Sequence, residues 1–116
     1  MRHPDWIARL AALLREAETR TFDARHWNCA IFAIAAVEAV TGQYPHVRVL
    51  PDLAASADSA GFPRVAPAFA RCGDVVLAPD PARLGVVLDT GRVAFVGPRG
   101  LLSAALTECA IAWRIG

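Results

Sequence analysis

The chain has no lysine. All twelve basic residues are arginine, and against eleven acidic residues they leave a formal net charge of +1. A balance this near zero indicates no nucleic-acid or acidic-surface partner, so no nucleic-acid partner is expected. Arginine without lysine, beside abundant alanine, is the coding bias of a GC-rich genome rather than a chemical device. Cysteine is scarce as well. Cys29, Cys72 and Cys109 are odd in number and show no Cys-x-x-Cys spacing, which argues against a disulfide framework and against a zinc site. No cofactor or metal is expected. Long hydrophobic runs are missing, because the apolar stretch from Cys29 to Val40 is too short to cross a bilayer and carries Glu38 inside it, so no membrane span is expected. The opening Met1-Arg2-His3-Pro4-Asp5 lacks the basic-then-apolar pattern of a secretion signal, which makes synthesis and residence in a cytosol the default expectation. Internal repeats, low-complexity tracts and linkers are absent too. With 116 residues, 55% of them hydrophobic, the chain is expected to form one domain around one core.

The first half reads as helices. Pro4 and Asp5 open a helix in which Trp6, Ile7, Leu10, Leu13, Leu14 and Ala17 recur at helical spacing with charged residues between them. Thr19 to Trp27 has no period and mixes aromatics with charges, so it is expected to be an ordered loop anchored by Phe22 and Trp27. Asn28 is a good N-cap, which places Cys29 at about the first helical position of a second helix running to Val40 and stopped by Thr41-Gly42. That helix is apolar all round and should be covered on both sides. From Gln43 to Pro51 the chain is expected to be extended, and Leu53 to Ala60 to form a short helix closed by Gly61.

The second half changes period. Asp74–Ala78, Leu84–Leu88, Arg92–Val96, Leu101–Leu106 and Ala110–Ile115 are β-rich runs, with tight connections at Asp89-Thr90-Gly91 and Pro98-Arg99-Gly100. Helices first and strands afterwards predict an α+β domain, with the helices packed on one side of an antiparallel meander of about five strands.

Chemistry concentrates at one point. A cysteine at a helix N-terminus sits where negative charge is favoured, which is one route to a nucleophilic thiolate, while the plain alternative is a small buried hydrophobe. Cys72 and Cys109 are expected to be partly buried beside strands and unreactive. Trp6, Trp27 and Trp113 fit core packing better than an aromatic binding face. Gly97-Pro98-Arg99-Gly100 lacks the Gly-Lys-Ser/Thr ending of a phosphate loop and is expected to be a turn. Arg48, Arg64, Arg71, Arg83, Arg92 and Arg99 are expected mostly on the solvated surface rather than in contacts to a neighbouring subunit.

A cysteine-headed helix, a strand opened by Gly73-Asp74-Val75-Val76 and a strand Leu84-Gly85-Val86-Val87-Leu88 leading to a hairpin resemble the NlpC-type branch of the papain-like cysteine peptidases. The resemblance covers nearly the whole chain and implies one NlpC-like domain over residues 1–116. More narrowly, Trp27-Asn28-Cys29-Ala30-Ile31-Phe32, Val37-Glu38-Ala39-Val40-Thr41-Gly42, Gly73-Asp74-Val75-Val76-Leu77 and Ala112-Trp113-Arg114-Ile115 resemble a small family encoded in the tail modules of phages, prophages and gene transfer agents.

In the peptidases a cysteine attacks a peptidoglycan amide, a histidine at the start of the second strand takes its proton, and a polar residue orients the histidine. Carried onto this chain, the nucleophile is Cys29, Asn28 stands where active members carry Asp, and Arg83 stands where histidine belongs. Arginine cannot serve as a general base near neutrality. The orienting position falls among Val93, Ala94, Phe95 and Val96, none of which can hydrogen-bond through its side chain. His26, three residues before Cys29, is the substitute base to consider first, ahead of His46 and His3. Gly73-Asp74 corresponds to a structural turn at the strand start.

The resemblance therefore implies a structural or assembly component of a phage-like tail, at the tip or hub, whose cysteine-peptidase fold is degenerate and whose Cys29 is vestigial. Its candidate partners would be other tail or baseplate proteins, further copies of itself in a symmetric assembly, and peptidoglycan. It would be made in a bacterial host cytoplasm and reside in the virion tail. The alternative is an active cysteine amidase or peptidase that opens host peptidoglycan during DNA delivery, and a third possibility is an assembly factor absent from the finished particle.

Overall fold

The computed structural model describes residues 1–89 and 91–116. Among them the chain forms three α-helices, α1 (Trp6–Ala17), α2 (Cys29–Thr41) and α3 (Leu53–Asp58), and six strands: β1 (Arg64–Val65), β2 (Val75–Ala78), β3 (Arg83–Val87), β4 (Arg92–Gly97), β5 (Gly100–Ala105) and β6 (Ile111–Trp113). None of the helices is long and apolar enough to cross a membrane.

Local chemistry fixes the ends of α2. The Asn28 carboxamide oxygen accepts from the Ile31 N–H at 2.9 Å, closing one of the free amides of the first turn. At the other end Gly42 takes φ of 78°, a left-handed value that glycine adopts without strain, and its N–H donates to the Glu38 carbonyl at 2.8 Å. Arg9 on α1 donates to the Ala39 and Glu38 carbonyls at 2.8 and 3.1 Å, so a cation closes the negative end of the helix dipole and pins α1 to α2. Along α1, Leu10 and Ala17 are buried, with Trp6, Leu13 and Leu14 packed against the core. Ile7 does not join that face. It lies one residue past Trp6, about 100° further round the helix, and is 66% exposed.

The sheet has the order β1-β6-β2-β3-β4-β5, with every pairing antiparallel. From β2 to β5 it is the expected meander. The departure is on the other edge, where β6 returns from the end of the chain to pair with β2 (Val75 opposite Trp113) and β1 adds to β6 (Arg64 opposite Trp113). The sheet thus has six strands rather than about five. β1 is two residues long and exists as a strand only through its long-range partner. The connection at Pro98-Arg99-Gly100 joins β4 to β5 with Gly97 opposite Gly100. The turn expected at Asp89-Thr90-Gly91 includes Thr90, which lies outside the described residues.

Alternation along the strands produces two apolar faces. Val75, Leu77, Leu84, Val86, Ala94 and Trp113 share a core with α1 and α2. Val76, Ala78, Val87, Val93, Phe95 and Ala112 form a second, smaller core with Cys109, flanked by the short 3-10 turns at Pro67–Phe69 and Leu106–Glu108. Gly85 is required in β3, since a Cβ there would lie 2.6 Å from the Phe95 ring and 2.8 Å from the Ala94 carbonyl oxygen.

Asp74 is fully buried and joins the two ends of the chain. One carboxylate oxygen accepts from the Ile115 N–H (2.9 Å) and Arg2 Nη2 (3.1 Å), the other from the Arg71 N–H (2.8 Å) and Arg114 Nε (3.1 Å). Arg2 also donates to the Cys72 and Ile115 carbonyls. The expected strand-entry turn is therefore also the anchor of both termini.

Candidate functional site

Cys29 occupies the first position of α2 and is half-buried. The loop leading to it is built on a pair of backbone bonds, Asp23 N–H to the Trp27 carbonyl (2.9 Å) and Trp27 N–H to the Asp23 carbonyl (2.8 Å). Asn28 adds a bond from its Nδ2 to the Ala24 carbonyl at 2.9 Å, so one side chain fastens both the loop and the helix start. Trp27 anchors this loop as expected. It is buried, meets Phe32 edge-to-face at 5.7 Å and carries the Arg20 guanidinium 4.2 Å above its ring. Phe22 does not anchor it. At 54% exposed it projects from the loop, because the backbone bridge between Asp23 and Trp27 begins only after it.

The three histidines are dispersed. His26 Nδ1 lies 3.0 Å from Asp23 Oδ2 on the loop surface. The same contact holds the Asp23 carboxyl below its ordinary value, assisted by the Arg25 N–H. His3 accepts from the Asp5 N–H through Nδ1 at 3.0 Å, serving the start of α1 in place of Asp5, whose own side chain makes no cap bond. His46 sits on the segment after α2 that has no regular secondary structure. Among the described residues no histidine hydrogen-bonds the Cys29 sulfur. The loop thus brings His26 to a carboxylate, and not to the thiol.

Arg83 opens β3 on the face of the sheet turned away from α2. Its guanidinium stacks 4.6 Å from the Phe95 ring and donates to the Pro81 carbonyl at 3.3 Å. Its neighbour Leu84 points to the helix side instead. On β4 Arg92, Ala94 and Val96 share the helix-side parity: Ala94 and Val96 pack on the core and offer no polar group to orient a base, while Arg92 is exposed and donates to Ser103 Oγ at 3.1 Å. Among the described residues no three His, Cys, Asp or Glu side chains gather as metal ligands.

A family model described as a domain of unknown function, DUF6950, matches residues 1–51 and 48–115. The chain belongs to the DUF6950 family. Among curated proteins none matches it.

The other two thiols of this DUF6950 chain are held in the protonated form. Burial pushes Cys72 up to about 12, with the Asp89 carboxylate adding to the effect, and burial likewise raises Cys109. Of the surface arginines, Arg64 forms a two-pronged pair with Asp58 at 2.7 and 2.9 Å. Trp113 Nε1 donates to the same carboxylate at 2.9 Å.

One feature of the fold is marked as a site by none of the motifs, although Ala30, Val37, Val75, Leu84, Trp113 and Ile115 of its lining lie within them. Between α2, the 45–50 segment and α3 lies an apolar cleft of about 150 Å³, floored by the helix-side face of the sheet. Its signal in the sequence is the continuation of the apolar surface of α2 round a face that neither α1 nor the sheet has to cover.

Proposed function

We propose that this chain is a structural or assembly component of a phage-like tail, at the tip or hub, on a papain-like NlpC-type scaffold without a working catalytic base. The observation that carries the non-catalytic half is the direction of Arg83, which stands at the histidine position of the peptidase pattern yet stacks on Phe95, on the sheet face away from Cys29. A thiol at a helix N-terminus can be activated, but amide cleavage also needs a group that receives its proton and delivers it to the leaving amine. The tail half rests on the resemblance of the segments around Cys29, Gly42, Gly73 and Trp113 to tail-module proteins. Its partners are then other tail or baseplate proteins and its residence is the virion tail.

Deleting the gene from a phage or prophage that carries it should stop tail completion, and complementation with Cys29→Ala should restore particles as well as the wild-type gene does. Failure of a folded Cys29→Ala chain to complement, where wild type succeeds, overturns the proposal.

A second reading, an active cysteine amidase acting on peptidoglycan, is favoured by one contact: the Asp23–His26 pair three residues before the thiol. A carboxylate that orients an imidazole is the right relation for a base, though this pair lies on the exposed loop. Purified protein incubated with peptidoglycan separates the two, because release of fragments by wild type and not by Cys29→Ala or His26→Ala belongs to the enzyme alone.

A further inference from the structure

The cleft beside α2 has the form of a ligand site, and it is independent of what Cys29 does. One wall is the stripe Ala30, Ala33, Ile34 and Val37, spaced as one helix face, and the floor includes Leu84 and Trp113. Protein interiors are close-packed, and an apolar void of about 150 Å³ is large enough to stay dry and admit a molecule the size of benzene. This cleft has that volume.

It is not a sealed packing defect. A second cleft of about 330 Å³ adjoins it and shares Val37, Pro45, Ala60 and Phe62 as walls. The second chamber is polar where the first is not, lined by Thr41, Gln43, Tyr44 and His46 together with Met1 and Gly116. No Asp or Glu lines either chamber. Apolar depth with a few convergent donors at the mouth is the usual form of a small-molecule site.

The roof can move. The 45–50 segment has no regular secondary structure, and its bonds to the domain run through two serines of the α3 region. Arg48 N–H donates to Ser59 Oγ and Leu50 N–H to Ser56 Oγ, each at 2.8 Å. Val49 on this segment is 95% exposed, so part of its apolar surface is left in water.

We propose that these joined clefts bind a small amphiphilic carboxylate, its alkyl chain or ring against the α2 stripe and its carboxylate at Gln43, Tyr44 and His46, with the 45–50 segment as the flap. The donors at the mouth suit a hydrogen-bond-accepting head, and no acidic side chain lines the chamber to repel a carboxylate. The inner chamber limits the buried part to a ring or a short chain.

The test titrates the full chain with octanoate and with 1-octanol by calorimetry, and maps methyl shifts by NMR. Octanoate should bind at one saturable site, at least threefold tighter than octanol, with shifts concentrated on Ile34, Val37 and Leu53. Ala57→Leu, which fills the inner chamber, should weaken octanoate at least tenfold while the protein still melts cooperatively. Should that variant fail to fold, the wild-type shift map decides alone. Tyr44→Phe combined with His46→Ala should remove the preference for octanoate over octanol. Absence of binding by both probes at millimolar concentration, shifts centred elsewhere, or undiminished binding to a folded Ala57→Leu chain overturns the site. Equal affinity of wild type for the two probes overturns the head-group assignment.

Discussion

Asp74 is the buried hub that ties the two ends of the chain to the sheet. It is wholly buried, it accepts four hydrogen bonds, and its two arginine partners come from the opposite ends of the chain. A buried carboxylate costs several kcal/mol of desolvation, and only complete pairing offsets that cost. Substituting one member is therefore worse than the bonds alone suggest, since Arg2 and Arg114 would be left partly buried without their counter-charge. Asp74→Asn, nearly equal in shape, should lower the unfolding free energy by about 3–5 kcal/mol, measured by urea denaturation. A loss under 1 kcal/mol would show that the arginines find solvent as readily as they find Asp74. The strand-entry turn at Gly73-Asp74 was legible, because glycine before a β-rich run is a local signal. The hub was not legible, since Arg2 and Arg114 lie 72 and 40 residues away and nothing in their neighbourhoods marks them as partners.

At the scale of elements, α2 was the most legible part of the fold, because its limits depend on two residues in the run itself. Asn28→Ala removes the cap bond to Ile31 and the tie to Ala24 together, and should cost about 1 kcal/mol in the same denaturation experiment. Asn28→Ser, which keeps a capping oxygen, should recover most of it. α3 is tied to the sheet differently, through Asp58. The hydrogen bonds of Arg64, and after them that of Trp113, hold the Asp58 carboxyl down at about 2, against an ordinary value of 3.8. A depressed folded-state value contributes stability that is complete above pH 4 and is lost as pH falls toward 2. The thermal midpoint of wild type should accordingly drop between pH 4 and 2, and Asp58→Asn should flatten that part of the curve while lowering the plateau above it. Equal slopes for the two proteins would remove Asp58 from the acid response. β1 and the place of β6 escaped the sequence for one reason: a two-residue strand has no period to detect, and pairing between β2 and the last strand is decided by tertiary contact. The apolar cleft was hidden in plain view, for an all-apolar helix says that its faces are covered and not by what.

For the whole molecule, the decisive relation is between the head of α2 and the two faces of the sheet. A strand turns alternate side chains to opposite faces, so Arg83 shares its side with Gly85 and Val87, while Leu84 and Val86 face the helices. Motif alignment can match Arg83 to the histidine of the peptidase pattern, but reading that match as a lost base that one substitution would restore assumes a direction. Here the direction is away from Cys29, toward Phe95 and Cys109. Restoring the histidine should therefore not restore a catalyst. Arg83→His is expected to fold, with a loss of about 0.5–1 kcal/mol from the stacking on Phe95. It should release no peptidoglycan fragments in a Cys29-dependent manner. If Arg83→His did gain such an activity, and Arg83→His with Cys29→Ala lost it, the imidazole would have to reach the helix side of β3, and the separation between thiol and strand face argued from alternation would fail.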